Sequence, residues 1–177
     1  IVPNHTTIIA ESKKWILDFV IQYNICPFAA KPFLQDRIRF VVMPISDDET
    51  VYFEWLEKLL RQLESSPAAV IETAFLIFED TKLSYEHYLD LTDVATAYLD
   101  QTNRTGVFQI VPFHPDFQFG GAAADDPANK TNQSPYPTWH LIREESITQA
   151  TINYPNVTEI PDRNIAFLRK QFGNNQK

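Results

Sequence analysis

Glycine and cysteine are scarce in this sequence, which has 4 glycines and a single cysteine, Cys26, in 177 residues. A chain with so few glycines lacks the Gly-rich loop of P-loop NTPases and the fingerprint of classical dinucleotide-binding domains. It also contains neither the G-x-S-x-G motif of α/β-hydrolases nor the H-E-x-x-H helix of zincins. One cysteine cannot form a disulfide or a Cys-rich zinc site within the chain. These absences argue against P-loop NTPases, classical dinucleotide-dependent enzymes, α/β-hydrolases and zincins.

Clusters of basic residues and long apolar runs are missing as well. The chain has 15 Lys and Arg residues against 23 Asp and Glu residues, which gives a net charge of −8. Because an acidic surface repels phosphate backbones, we expect no nucleic-acid partner. The longest apolar runs fall well short of the roughly 20 residues that cross a bilayer, so we expect no membrane association.

The sequence offers no signal for secretion. No basic segment followed by an apolar one stands at its start, although the chain begins at Ile1 rather than methionine and a segment could have been removed. Five Asn-x-Ser/Thr sequons are expected to be inert outside the secretory route. They lie at Asn4, Asn103, Asn129, Asn132 and Asn156. We therefore predict a cytoplasmic protein.

Large apolar side chains are what the sequence has in quantity. Hydrophobic residues make up 44% of the chain, with 13 Phe, 7 Tyr and 3 Trp. A chain of this length and composition buries one sizeable core. We predict a single globular domain over residues 1–177.

Hydrophobic periodicity predicts helices and strands that alternate along the chain. The predicted helices cover residues 7–24, 47–64, 84–100, 138–151 and 163–172, and the predicted strands cover residues 38–43, 72–78 and 107–113. This alternation favours an α/β (or α+β) layered domain with a small, mostly parallel sheet flanked by helices. Residues 112–137 show no periodicity but many aromatics and prolines. We expect them to form a long ordered loop over the strand ends.

The segment PFHPDFQFGG (112–121) places His114 between two prolines and two residues before Asp116. A third strand parallel to its neighbours would deliver both side chains to the crevice at the strands' carboxyl ends, where open α/β sheets bind ligands. His114 is then a candidate general acid/base or metal ligand, with Asp116 as its orienting or metal-binding partner. The alternative is a turn histidine that bonds a backbone carbonyl.

The segment TNQSPYPTWHLIREE (131–145) is the second candidate, because it ends the loop and is predicted to begin a helix. Ser134 or Thr138 would cap this helix, and the free N–H groups at its start would hold an anion or a cofactor group. His140, Arg143 and Glu144 would share one helix face by i+3 and i+4 spacing. Arg143 would then clamp the anion. The other two residues would be a proton-handling pair or simply a solvated one.

A divalent metal is a further possibility. His114 and His140, together with Asp125 and Asp126, offer ligands that suit zinc or iron. An Asp-Asp-Pro stretch is also typical of an ordinary turn.

Cys26 and Glu72 are the remaining polar candidates. Cys26 follows a predicted helix end, where the dipole raises a thiol pKa, so a buried small hydrophobe is favoured over a nucleophile or ligand. Glu72 begins an apolar strand and needs a partner there, for which Arg37, Arg39 or Arg143 would serve.

Several polar blocks of the chain resemble one known family. They are NICPFA (24–29), ETAFLIF (72–78), FQIVPFHPDFQFGG (108–121), DD (125–126), TNQSPYPTWHLIREESI (131–147) and IPDRNI (160–165). Over nearly the whole length, the sequence is similar to the family catalogued as domain of unknown function 1415. The resemblance implies a site at these blocks but no particular activity.

Two functions are compatible with the sequence. The first is a small cytosolic enzyme, a hydrolase or group transferase, that acts on a polar or anionic small metabolite through His114, Asp116 and Arg143. The alternative is a non-catalytic module that grips a ligand or a protein with exposed Phe117, Phe119 and Tyr136 of the 112–137 loop. A protein partner or homo-oligomer is compatible with either.

Overall fold

The computed structural model describes residues 3–173 and places helices on both faces of one sheet. The α-helices are α1 (His5–Trp15), α2 (Ala30–Leu34), α3 (Thr50–Ser65), α4 (Tyr85–Gln101), α5 (Glu144–Thr151) and α6 (Ile160–Phe172). The strands are β1 (Ile38–Met43), β2 (Thr73–Phe78), β3 (Phe108–Phe113) and β4 (Thr138–Arg143). A π-helical segment, Ile16–Ile21, continues α1, and short 3₁₀ turns occupy Pro127–Asn132 and Val157–Glu159. No helix among the described residues is both long and apolar enough to cross a membrane.

The strands form a mixed sheet with the order β1-β2-β4-β3. β1 and β2 are parallel, whereas β4 is antiparallel to both of its neighbours. The α/β class is confirmed, but the expectation of a mostly parallel sheet is wrong in detail, since one pair of neighbours in three is parallel. The cause is β4, which was not predicted as a strand and is inserted between two strands that run in the same direction.

The predicted helix over residues 138–151 is the main error at the level of elements. Its first half is β4, and α5 begins only at Glu144. Residues 138–143 read TWHLIR, a run short and aromatic enough to fit either a strand or a buried helix turn. Ladders to β2 on one side and β3 on the other satisfy its backbone, and this long-range pairing overrides the local spacing.

The sheet separates two apolar cores, and β2 supplies both because its side chains alternate between the faces. Ala74, Leu76 and Phe78 point to the face covered by α3 and α4. Phe75 and Ile77 point to the face covered by α1 and the π-helical segment. β2 is buried along its whole length, as its continuous apolar run predicts.

The connection between β3 and β4 is long, as predicted, and is held down by buried polar side chains. Asn129 is fully buried; its Oδ1 accepts from the Phe119 N–H at 3.0 Å, and its Nδ2 donates to the Ala123 carbonyl at 2.9 Å. The Arg169 guanidinium of α6 meets the Asp126 carboxylate at 2.7 Å and lowers the pKa of that carboxyl to about 2. This segment is therefore part of the packed structure and closes one end of the sheet.

Candidate functional site

A cavity of about 800 Å³ lies against one face of the sheet. Its floor is formed by β2, β3 and β4, and its walls by the end of α1, the π-helical segment, residues 25–32 and α5. Mainly apolar and aromatic side chains line it, among them Trp15, Ile16, Val20, Phe28, Phe75, Val111, Phe113, Ile142 and Ile147. The size and composition fit a binding site for a small organic molecule.

A second depression, of about 480 Å³, lies between α3 and α4 and is much more open to solvent. Its polar groups are already paired, because Glu57 receives hydrogen bonds from Arg61, Tyr98 and Arg104. The larger and less open cavity on the opposite face of the sheet is therefore the better candidate.

His140 lies at the centre of the cavity floor. It sits in the middle of β4, opposite Phe75 of β2 and Val111 of β3. The imidazole stacks on the Phe75 ring with centroids 4.1 Å apart and an interplanar angle of 15°. The sheet thus fixes the position of this ring from both sides.

The Thr73 hydroxyl determines which ring nitrogen of His140 carries the proton. Thr73 Oγ1 donates its single hydrogen to the Leu141 carbonyl at 2.6 Å and lies 2.6 Å from His140 Nε2. Because that hydrogen is committed to the carbonyl, the hydroxyl accepts from Nε2–H. The other nitrogen, Nδ1, is then an unprotonated acceptor, and among residues 3–173 it makes no hydrogen bond.

The imidazole of His140 is neutral at physiological pH. Desolvation by the surrounding protein lowers the pKa of His140 to about 3. The side chain still keeps some accessible surface, since it is only half-buried and lines the cavity. The floor therefore presents an uncharged hydrogen-bond acceptor.

Aromatic rings surround this acceptor. The Trp15 and Phe113 rings meet edge to face with centroids 5.3 Å apart, and Phe75 lies 6.4 Å from Phe113. Trp15 is the last residue of α1, directly before the π-helical segment that contributes Ile16 and Val20 to the wall. Short π-helical stretches are rare and occur frequently at functional sites.

Cys26 lines the same cavity, but its surroundings differ from those predicted. The π-helical segment ends at Ile21, so Cys26 lies in the following turn. Cys26 is exposed there, whereas a buried small hydrophobe was predicted. The backbone N–H groups of Phe28 and Ala29 act to lower the pKa of the thiol, but desolvation is the larger effect and raises it. The expected direction of the shift is thus found, though its cause is the cavity wall and not a helix dipole.

The charged groups at the cavity are few and partly paired. Arg37 Nη1 lies 2.7 Å from Glu72 Oε2, so Arg37 is the partner that Glu72 was expected to need. Their contact is an ion pair with poor hydrogen-bond alignment, because both Glu72 Oε2 and Arg37 Nε are buried without a hydrogen bond. Glu145 and Lys31 are exposed residues of the lining.

His114 has a structural environment. The side chain is buried, its Nε2–H donates to the Leu83 carbonyl at 3.0 Å, and its Nδ1 accepts from the Asp116 N–H at 3.0 Å. Both ring nitrogens are therefore engaged. Burial also lowers the pKa of the imidazole. His114 does not line the cavity, and neither does the exposed Asp116. The alternative of a turn histidine that bonds a backbone carbonyl describes this arrangement.

The predicted anion clamp is wrong, because no helix begins between residues 134 and 138. The hydroxyls of Ser134 and Thr138 both donate to the Tyr136 carbonyl, at 2.6 and 2.9 Å. Arg143 points away from the cavity, and its Nη2 donates to the carbonyls of Leu63 and Ser66 at the end of α3. A guanidinium engaged in this way is not available to a ligand.

The residues proposed as metal ligands are not assembled into one centre. Residues 3–173 contain no group of three or more His, Cys, Asp and Glu side chains placed to hold a metal ion. Asp126 caps the 3₁₀ turn and pairs with Arg169, and Asp125 is exposed. Glu144 is the first residue of α5, so it shares no helix face with His140, which belongs to β4.

Of the candidate site residues, the cavity therefore contains His140, and the sequence missed its neighbours Thr73 and Phe75. A signal for them exists in the alternation of β2. If residues 138–143 are treated as a strand beside it, then His140 and Ile142 fall on the face of Thr73 and Phe75. The helical assignment of that segment concealed this pattern.

With this geometry, the molecule is an α/β protein with an aromatic-walled cavity that is partly open to solvent. The model of the family described as Protein of unknown function (DUF1415) matches residues 7–177, and the chain belongs to that family. No curated protein and no solved structure matches the chain.

Proposed function

We propose that the protein binds a small, largely apolar organic molecule in the cavity, with Nδ1 of His140 accepting a hydrogen bond from it. The observation that carries this proposal is the cavity floor, where a neutral imidazole with one unpartnered acceptor is fixed by Thr73 and Phe75. An unpartnered acceptor inside an apolar cavity is costly unless a ligand or water satisfies it. The ring walls supply the burial, and the acceptor supplies the orientation.

This proposal replaces an anionic metabolite as the preferred ligand. The guanidinium of Arg143 is committed to backbone carbonyls, and that of Arg37 faces Glu72. An anion that entered the cavity would lose its hydration with only the exposed Lys31 to compensate. A cytoplasmic location remains part of the proposal and is supported by the single cysteine.

A ligand screen by thermal stability tests the proposal. Compounds that bind the folded protein raise its Tm by mass action. Ala150 is an exposed residue of α5 on the cavity lining, so Ala150→Trp should block the cavity while the sheet stays intact. We expect hits that stabilise the wild type and have no effect on Ala150→Trp. Hits that stabilise both proteins equally, or no hits from a library of apolar fragments, would contradict the proposal.

Catalysis, as a hydrolase or group transferase, is the second candidate function. It is favoured by the convergence of His140, Cys26, Glu72 and Glu145 on one cavity. The low pKa of His140 makes it a weak base at neutral pH, so any proton transfer would have to draw on the carboxylates or on ligand-induced changes in the site. The test is untargeted mass spectrometry of a metabolite extract incubated with wild type or with His140→Phe. A metabolite that only the wild type consumes supports catalysis; identical profiles exclude it for the extract's compounds.

The other expectation, that the 112–137 loop anchors a partner through exposed aromatics, loses its basis. Phe117 and Tyr136 are buried, and Phe119 is half-buried against Phe117 with ring centroids 5.0 Å apart. These rings hold the loop to the protein.

A further inference from the structure

We propose that the ligand of the cavity is an arylalkylamine. Such a molecule has a flat apolar ring system and a short arm that ends in an ammonium or another strong N–H donor. This inference deepens the proposed binding function and depends on it. Three properties of the cavity lead to it: the hydrogen-bonding sense of its polar groups, its supply of free cations, and the geometry of its rings.

Two polar groups of the cavity that make no aligned hydrogen bond within the described part of the chain, His140 Nδ1 and the Glu72 carboxylate, are acceptors. Nδ1 of His140 is an acceptor because Nε2 carries the proton. The Glu72 carboxylate makes the ion pair with Arg37 and no aligned hydrogen bond. Two potential donors are already used, since Asn132 Nδ2 donates to the Pro112 carbonyl and the Thr131 hydroxyl to the Ala128 carbonyl. A ligand that satisfies His140 and Glu72 must therefore bring donors.

Among residues 3–173, no cation of the cavity other than the exposed Lys31 is free to meet an anion. His140 is held neutral by its surroundings, and the Arg37 guanidinium is paired. Lys31 is exposed at the cavity lining, where Glu145 supplies an opposite charge. The protein as a whole carries a net charge of −8, which attracts cations and repels anions. The charges, like the hydrogen-bonding groups, therefore favour a cationic ligand over an anionic one.

The rings define the apolar part of the ligand. Trp15, Phe28, Phe75 and Phe113 all line the cavity, and Phe75 is stacked on the His140 ring. Aromatic side chains contact ring systems favourably by edge-to-face and offset stacking and attract ammonium groups to their faces. A flat ring on these walls places a short amine arm within reach of the acceptor on the floor.

Three indoles of matched shape test the inference by isothermal titration calorimetry: tryptamine, 3-ethylindole and indole-3-propionate. They share the ring and the two-carbon arm, and the arm carries an ammonium group in tryptamine, no further group in 3-ethylindole and a carboxylate in indole-3-propionate. We expect tryptamine to bind at least about tenfold more tightly than indole-3-propionate, since burying an unpaired carboxylate beside acceptors is costly. The neutral analogue should lie between them.

Variants then assign the preference to the cavity. His140→Phe keeps the ring stack and removes the acceptor, so it should weaken tryptamine about tenfold and leave 3-ethylindole nearly unchanged. Tyr98→Phe, on the opposite face of the sheet, is the matched control and should change none of the affinities. Should His140→Phe unfold, then His140→Leu, which also lacks the acceptor, serves in its place.

The outcomes separate this inference from the proposed function. If all three indoles bind with equal affinity and are lost in Ala150→Trp, the cavity binds ligands but the amine class is wrong. The class is also wrong if indole-3-propionate is preferred, or if none of the three binds while other fragments do. If no fragment depends on the cavity, the proposed function itself fails.

Discussion

At the scale of single residues, two histidines with similar sequence surroundings have opposite roles. His114 uses both ring nitrogens to bond backbone groups of its own structure, whereas His140 uses one and leaves the other facing a cavity. Both are neutral, because burial lowers both pKa values. The difference between a structural and a candidate functional histidine is the unpartnered nitrogen.

His114→Ala should destabilise the protein without impairing ligand binding by the folded state. The substitution removes a buried ring and leaves the Leu83 carbonyl and the Asp116 N–H without their partner, which costs about 2–4 kcal/mol. Urea denaturation measures this loss, and calorimetry on the folded fraction measures binding. Loss of binding with unchanged stability would instead make His114 part of the site.

The stability of the protein should fall as the pH drops from about 6.5 to about 3, partly because of His140. Its pKa is about 3 in the folded protein, below that of a histidine in the unfolded chain. Above the unfolded pKa neither state binds the proton, and no stability is lost. Below it the unfolded chain binds the proton first, so folding is penalised by up to about 2 kcal/mol at pH 5.

His140→Phe isolates this contribution. The difference in stability between variant and wild type should shift in favour of the variant between pH 7 and pH 5, as followed by urea denaturation at each pH. The parallel effect of His114 is common to both proteins and cancels. A difference that does not change with pH would show that His140 titrates normally in the folded state.

At the scale of secondary-structure elements, β4 is the centre of the molecule. It joins the two strands on either side of it, contributes Trp139 and Leu141 to one core, and carries His140 on the other face. Arg143, the last residue of β4, caps the C-terminus of α3. Its guanidinium donates to three carbonyls at the end of that helix and in the following turn. They belong to Leu63, Ser66 and Ile71.

Arg143→Lys should therefore lower stability despite keeping the charge. An ammonium cannot reproduce the planar fork that reaches these carbonyls together, and we expect a loss of about 1–3 kcal/mol. The measurement is urea denaturation at pH 7, with Arg39→Lys, at an exposed residue of β1, as the control. Equal stability of Arg143→Lys and wild type would contradict this role for the fork.

An ion pair between Glu57 and Arg104 joins α3 to the turn that follows α4. Nη1 of Arg104 lies 2.6 Å from Glu57 Oε2, and its hydrogen bonds lower the pKa of Glu57 to about 2. Since the folded pKa is lowered, this stability is present above the unfolded pKa and is lost as the pH falls toward 2.

Glu57→Gln should cost about 1 kcal/mol at pH 7 and much less near pH 2, since much of the wild-type carboxyl is then protonated as well. Thermal unfolding across this range measures the effect. Glu54→Gln, one turn earlier and exposed, should be neutral at both pH values. A cost that persists at low pH would mean that packing, and not charge, is responsible.

At the scale of the whole molecule, most of the fold follows from local sequence patterns. The strands at β1, β2 and β3 lie where β-branched and apolar runs predicted them, and Ser84 caps α4 by accepting from the His87 N–H at 3.2 Å. The failure at β4 is physical, because its conformation depends on two partners far away in the sequence. The candidate site shares that failure, since a cavity on the sheet face cannot be located until the identity and order of the strands are known.

The individual polar residues show the same limit. The sequence indicated His140, which lines the cavity, but it favoured Cys26 as a buried hydrophobe, whereas Cys26 is an exposed residue of the lining. It also indicated His114, Asp126 and Arg143, whose partners are Leu83, Arg169 and carbonyls near α3. Residue type and spacing therefore identify side chains that are able to bind or react. Only their partners in the three-dimensional structure decide which of these side chains remain available to a ligand.

The central claim is that a ligand occupies the cavity beside His140, and the rate at which Cys26 reacts with a thiol reagent such as DTNB tests it most directly. Cys26 is the only cysteine and lines the cavity, so the signal is confined to this place. Saturation with the tightest ligand from the stability screen should slow the reaction about tenfold or more in the wild type. In Ala150→Trp the rate should not respond to the ligand. An unchanged rate in the wild type, at a concentration where calorimetry shows the ligand bound, would place the binding site elsewhere and contradict the account.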